Sequence, residues 1–313
     1  MDPFTHTMAG AVLARAGGDR RTPLAAATLM LAANAPDIDI YTVWTETSFG
    51  SIAFRRGWTH GPFALFMLPF MITCAVLAWD VLVRRRRDPS QAPAHVGWVL
   101  ALSAMGVLSH PALDWLNTYG IRLLMPFRQT WFHGDALFIA DPYWWALLGG
   151  TLLLARRGAA PRTVRIGAAL AIAYPVFMLG LSWQGKRLAR EVAAAQGIPQ
   201  TNVLYQPLPG MPFTAQLILR TDVAYHFGTV RWLPTPEVRL DGESMPRGDW
   251  SNPHVLVAKL DPDVRDYLVW SSYPWVQIDT TAADGSATVV FGDARFPRDG
   301  IAGGLGGLAV SVR

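Results

Sequence analysis

The chain is short of cysteine, of lysine and of charge in general, and each shortage removes a class of protein. Cys74 is the only cysteine in 313 residues, so an internal disulfide and a cysteine-rich metal site are both excluded. Charged residues make up 16% while the apolar and aromatic set makes up 51%, more than an ordinary soluble domain carries. Lys186 and Lys259 are the only lysines, so arginine supplies the net charge of +4. The arginines fall in short runs beside apolar segments, where they orient a membrane protein instead of tracking a nucleic-acid backbone. No nucleic-acid partner is expected. Also missing are a P-loop, a Gly-rich dinucleotide fingerprint and an internal repeat. The opening MDPFTHTMAG has no basic stretch ahead of an apolar core and places Asp2 and His6 there, so it does not read as a cleavable signal peptide.

What the sequence does have is apolar length. Residues 61–83 suffice to cross about 30 Å of hydrocarbon, although Pro69 and Asp80 interrupt them, and RRRR at 84–87 ends the run. Further spans are expected at 96–114, at 143–155 (shorter, stopped by Arg156 and Arg157) and at 164–183. Two apolar segments of less than span length, 7–16 and 23–35, precede them and predict a short helical hairpin joined by the turn RAGGDRR. After Gln184 proline and glycine rise, and polar residues alternate with apolar ones at 223–232, 267–279 and 286–296, the pattern of antiparallel strands. A helical connector is expected at 186–196. The expected fold is thus an α-helical multi-pass membrane bundle of about four spans plus the N-terminal hairpin, residues 1–183. A small, mostly-β extramembrane domain, residues 184–313, follows it.

Loops 15–21, 84–95 and 156–165 hold eleven basic residues, against seven in 36–61, 114–141 and 184–190. That bias places the first set in the cytoplasm and the second set, with the β domain, on the extracytoplasmic side of a plasma (inner) membrane. Lys186, Arg187 and Arg190 run against it.

Ionisable residues are costly in or beside hydrocarbon, and here they collect at the same ends of the apolar segments. His6 precedes the first segment, Asp37 and Asp39 follow the second, His60 precedes the first full span, and His110 and Asp114 close the next. In an alternating topology these six potential metal ligands meet on one membrane face. His110 and Asp114, i and i+4 on a helix, point the same way. A His/carboxylate set without thiolate suits Zn²⁺ best here, with Mn²⁺ or Fe as alternatives, and suits Ca²⁺ less. Each residue also has a plainer reading. PDID can be a helix stop followed by an N-cap, His110 with Asp114 a buried hydrogen-bonded pair, and His60 the cap of the span after it.

His6 with Gly10, PDID at 36–39, RGWTH at 56–60 and SHPALDWLNTYGIRLLMP at 109–126 together resemble the YdjM-like family of membrane-bound, predicted metal-dependent hydrolases. The resemblance covers most of residues 1–145. It implies a multi-pass inner-membrane protein with a divalent metal held by His6, Asp37, Asp39, His60, His110 and Asp114. The family often reads His-Arg-Gly-x-Thr-His-Ser, where this chain has Arg55 and Gly61 in place of the first His and the Ser. WFHGDALFIADPYWW at 131–145 also looks like longer members of the group. Asp135 is then a further ligand or base, His133 a weaker candidate, and Asp141 before Pro142 an N-cap.

The expected chemistry is hydrolysis of a phosphoester or other ester of a lipid or lipid-linked substrate by metal-activated water. Arg56 and Asp135 are the catalytic candidates, and Arg56 and Arg122 the candidates for binding phosphate. Membrane lipids are the expected partners. The competing classes are a metal-stabilised scaffold or a transporter using the same residues as a relay.

Overall fold

A computed structural model of the chain describes residues 1–200, 202–279, 286–296 and 306–312. They fall into two compact units, Met1–Asp39 with Arg56–Leu181, and Ile40–Arg55 with Ser182–Arg313.

In the first unit α1 (Pro3–Ala16) is capped by Asp2, whose carboxylate accepts from the Thr5 amide, and α2 (Ala25–Asn34) turns back along it. Asn34 donates to the Thr7 hydroxyl at 3.0 Å. A ten-residue 3₁₀ stretch, Ala35–Trp44, follows, then α3 (Ser48–Phe54), which belongs with the second unit. Next comes α4 (Pro62–Trp79), whose N-cap is Gly61 and not His60, correcting the capping role open to that histidine. A π turn at Asp80–Arg84 carries α4 into the short α5 (Arg85–Arg87). Asp80 is buried there: it takes the guanidinium of Arg84 and the Ala94 amide, tying the arginine run to the following loop.

The bundle is completed by α6 (Val96–Trp115), α7 (Pro142–Arg156) and α8 (Pro161–Ala195). Among the described residues three helices are long and apolar enough to cross a membrane: Pro62–Arg87, Val96–Trp115 and Pro161–Ala195. With 15 residues α7 rises only about 22 Å, short of a hydrocarbon core of about 30 Å. Asp141 caps it by accepting from the Trp144 amide at 2.8 Å, as expected of an aspartate before proline. The core of this unit joins Met8 and Val12 of α1, Leu116 at the end of α6, Leu137 before α7, Trp144 and Leu148 of α7, and Ala168, Ala171 and Met178 of α8. Phe63, Phe66, Met67, Phe70 and Met71 stay exposed along α4, as a lipid-facing surface requires.

The described residues of the second unit form two antiparallel sheets. β1 (Asn202–Leu208), β2 (Met211–Arg220), β3 (Ala224–Arg231) and β4 (Glu237–Pro246) form one in chain order. Between the sheets in sequence come α9 (Pro253–Ala258) and α10 (Pro262–Trp270), then β5 (Pro274–Asp279), β6 (Ala287–Asp293) and β7 (Gly307–Val312). The strand expected over 267–279 therefore begins only at Pro274. Asp261 caps a helix with Pro262 at its first turn, and Val264, Tyr267 and Trp270 are buried at helical spacing. Leu204, Ile218 and Tyr225 of the first sheet share a core with Trp275 of the second and Tyr273 just before it. The excursion Ile40–Arg55 joins this unit through α3, where Phe49 meets Tyr267 edge-on and Thr47 donates to Asp263 at 2.9 Å.

Two expectations follow. A Cβ at Gly106 of α6 would stand 2.6 Å from the Ala32 Cβ and 3.1 Å from backbone atoms of Leu29 and Ala33. Backbone cannot swing aside, so Gly106→Val should cost about 1–3 kcal/mol, read as a lowered Tm in detergent. In the second unit Asp293 is fully buried and accepts from Ser271, from the Tyr273 amide and from Arg295 through three nitrogens. Burial alone would push its carboxyl up, but Arg295 and these donors hold it below the usual carboxylate range. A depressed folded-state pKa contributes stability that is present above the unfolded value of about 4 and is lost as pH falls toward the folded one. Asp293→Asn should destabilise by about 3–5 kcal/mol at pH 7. The gap from wild type should narrow below about pH 4, followed by tryptophan fluorescence in urea.

Candidate metal centre

The site begins with a proline. Pro36 has no amide hydrogen to continue α2, and the chain tightens into three residues per turn. Successive side chains then lie about 120° apart, so Asp37 and Asp39 diverge. Asp37 turns its Oδ1 toward His110 Nε2, 3.6 Å away. Asp39 turns to the other side, where its Oδ2 accepts from the Arg56 amide at 2.8 Å and the Thr59 hydroxyl at 2.9 Å.

His60 sits in a 3₁₀ turn just before α4, and His110 and Asp114 sit one turn apart on α6. His60 Nε2 lies 3.0 Å from His110 Nε2, and Asp114 Oδ2 lies 3.4 Å from each of them. Asp37, His60, His110 and Asp114 each bring one ligand atom to within 4.8 Å of the others. A tetrahedral ion with bonds near 2.0–2.1 Å has ligand–ligand edges of about 3.3 Å, close to the triangle seen here.

The hydrogen bonds behind these residues decide which nitrogen is available. His110 Nδ1 lies 2.6 Å from the Ala33 carbonyl, which can only accept, so Nδ1 carries the hydrogen. His60 Nδ1 lies 2.9 Å from the Thr59 hydroxyl, whose own hydrogen goes to Asp39, so here too Nδ1 donates. In the neutral rings both Nε2 atoms therefore aim lone pairs at the same point, an arrangement that repels unless a cation stands between them. Asp37 Oδ1 and Asp114 Oδ2 are buried, and among the described residues neither is reached by a hydrogen bond of acceptable geometry. Such atoms cost about 1–3 kcal/mol each when left so. The donor set fits a divalent ion.

The protonation states agree for the groups outside the apolar spans. Burial, then the neighbouring charges of His110 and Arg56, holds His60 well below the ordinary imidazole value. For His6 burial and His110 act in the same direction. Burial would raise the Asp37 carboxyl, but its contact with His110 and the charges of His110, His60 and Arg56 hold it far below the carboxylate range. Neutral imidazole and ionised carboxylate are the forms that ligate metal.

Of the six residues expected as ligands, four thus converge. His6 stands one step away: its Nε2 is 3.2 Å from the other Asp114 oxygen, Oδ1, and its ring stacks on His110 with centroids 3.9 Å apart. The Met1 ammonium also lies on Asp114 Oδ1. Asp39 reaches His60 through Thr59 and orients that ring.

Arg56 adopts a left-handed φ of +54°, held by its amide on Asp39 and by its carbonyl, which accepts from the Arg122 amide at 2.8 Å. Its guanidinium is 3.2 Å from Asp114 Oδ2, bonds Asn117 and the Gly120 carbonyl, and covers the Tyr119 ring. Arg122 is buried with its guanidinium over Trp131. Asp135 is fully buried and accepts from His133 Nδ1 at 2.7 Å. Two supports carry little signal in the sequence. Thr59, a single letter before His60 in RGWTH, links that ring to Asp39. Asn117, three residues past Asp114, accepts from Arg56 and from the Tyr119 and Gly120 amides. The departure at Gly61 also has a cause: a Cβ there would collide with the Met125 carbonyl oxygen.

A helical bundle with apolar crossings that gathers two imidazoles and two carboxylates behind oriented partners defines a membrane protein with a candidate divalent-metal centre. The chain belongs to the YdjM inner membrane protein family, which it matches over residues 1–187. Neither a curated protein nor a solved structure matches it.

Metal analysis of the detergent-purified chain checks the centre. His110→Ala and Asp114→Asn should abolish stoichiometric metal. Thr59→Ala should keep the site and weaken its affinity about 10–100-fold. Full metal content in His110→Ala would refute the ligand set.

Proposed function

We propose that the protein is a membrane-bound, metal-dependent hydrolase acting on a phosphoester or other ester of a lipid or lipid-linked substrate. The observation that carries this reading is the asymmetry of the four ligands. His60, His110 and Asp114 are fully buried, whereas Asp37 retains 11% side-chain exposure. Three enclosed protein ligands, with Asp37 at the exposed side serving as base and leaving the fourth position to water, is the pattern of a catalytic centre. His60, His110 and Asp114 would hold a divalent ion, Zn²⁺ by the chemistry of the donors and Mn²⁺ or Fe as alternatives, which would supply a water acidic enough to attack at neutral pH.

The chain's own residues do the rest. Asp37, ionised and at the open side, accepts the proton of the attacking water or completes the ligand set. Asp39 and Thr59 hold His60 in its Nδ1–H form, and the Ala33 carbonyl does the same for His110. Arg56 acts through Asp114, holding that carboxylate in place. Arg122 adds positive charge for a phosphate oxygen, and Asp135 with His133 forms an acid–base pair. In membrane terms α7 is the third of four crossings, α1 and α2 form a hairpin within the bundle, and the metal centre and the β-rich segment are extracytoplasmic.

A second reading, a non-catalytic metal-bound scaffold, is favoured by the complete burial of His60, His110 and Asp114. One experiment separates the two. Metal-loaded protein is incubated with phospholipid vesicles and with generic phosphodiesters, and released phosphate and alcohol are measured. Under the hydrolase reading Asp37→Asn retains metal and loses turnover by about 10²–10⁴-fold. Full metal loading with no release from any ester establishes the scaffold.

A further inference from the structure

A groove lies at the end of the first unit away from the metal centre. It encloses about 480 Å³ and is lined by Ala11, Arg15, Ala26, Met30, Leu152, Ala155 and Arg156. Its shape follows from how three helices run. At one end α1 and α7 touch through Trp145, which donates to the Thr5 hydroxyl at 2.8 Å and meets Phe4 edge-on. Ten and eleven residues further on, about 15–17 Å along each axis, come Arg15 and Arg156. The two helices are therefore parallel and place both guanidiniums at one mouth. α2 runs the other way, with Asn34 against Thr7 and Leu29 against Gly10, so Ala26 lies near the arginines and Met30 deeper. Small side chains at 11, 26 and 155 leave the space that Met30 and Leu152 floor.

The result is an apolar slot with a doubly cationic opening. Arg15 is 57% exposed and shared with Asp19 at 2.9 Å, while Arg156 is exposed and has no acidic partner among the described residues. An acyl chain matches the slot and a phosphate matches the paired guanidiniums, which bind it bidentately. A soluble anion has no use for the apolar wall, and a zwitterionic lipid brings an ammonium group toward two arginines. We infer that this groove binds one anionic glycerophospholipid, with an acyl chain between α1, α2 and α7 and its phosphate held by Arg15 and Arg156. The site is separate from the metal centre and does not depend on hydrolysis there.

Native mass spectrometry of the full chain in detergent, titrated with phosphatidylglycerol or with phosphatidylcholine of identical chains, tests it. Wild type should retain one phosphatidylglycerol in preference to phosphatidylcholine. Two arginine contacts at a membrane surface correspond to about a 30-fold preference, which Arg15→Gln/Arg156→Gln should erase. Arg15→Lys/Arg156→Lys should retain most of it. Ala155→Phe, which fills the slot and leaves the charge alone, should also lose the lipid, whereas Arg86→Gln/Arg87→Gln on α5 should not. Asp19→Asn, which frees Arg15 and leaves packing intact, should tighten binding and covers the case of a glutamine variant that fails to fold. Equal retention of the two lipids by wild type overturns the proposal. So does an undiminished preference in Ala155→Phe, an unchanged or weakened one in Asp19→Asn, or an equal loss in the Arg86/Arg87 variant.

Discussion

Everything at the ligand-bearing end of the bundle answers to one carboxylate. Asp114 is fully buried at the penultimate residue of α6, where an ionised group left to itself is untenable. Its Oδ1 is met by His6 and the Met1 ammonium and its Oδ2 by Arg56, while the Nε2 atoms of His60 and His110 face the same Oδ2 across the ligand cluster. These groups come from the chain start with α1, from the segment before α4 and from α6 itself, so the surroundings of Asp114 draw three separate parts of the chain together. Arg56 takes up an uncommon left-handed backbone conformation in the process, at a cost of about 1–2 kcal/mol that its two backbone bonds and its ion pair offset.

Much of this end was legible because polarity is conspicuous against an apolar background. In a chain with 51% apolar residues, His6, Asp37, His60, His110 and Asp114 stand out at segment ends, and i,i+4 spacing puts His110 and Asp114 on one helix face without further information. The different duties of Asp37 and Asp39 were not legible. They depend on a 3₁₀ continuation past Pro36, which separates the two carboxylates by a third of a turn, and an i,i+2 spacing alone carries no such direction. Thr59 and the Ala33 carbonyl were invisible for a related reason. Supports that set a tautomer act through backbone groups and hydroxyls, which have no distinctive spacing of their own.

The second unit shows where alternation misleads. YLVWSSYPWVQID contains both a helix end and a strand, and its first half is apolar at spacings that suit either period. Asp261 and Pro262, lying before the stretch, settle it as a helix. The recruitment of Ile40–Arg55 to this unit rests on long-range contacts, Phe49 with Tyr267 and Thr47 with Asp263, across more than 200 residues of sequence. Nothing local to 40–55 encodes them. By contrast the long apolar runs at 62–87, 96–115 and 161–195 are set by hydrophobic length alone, the one signal that needs no tertiary partner.

The bond from His110 Nδ1 to the Ala33 carbonyl bears on the order of events during biogenesis. That carbonyl is among the last of α2, a group with no partner inside its own helix. Until α2 and α6 are docked side by side, with Gly106 admitting the backbone of Leu29 and Ala33, nothing selects the ring nitrogen that faces the other ligands. Helices not yet docked therefore carry no assembled site, and an ion would find its ligands in place only after α2 and α6 have packed. Any ion held there would stabilise a bundle that has already chosen its packing and would not direct the choice.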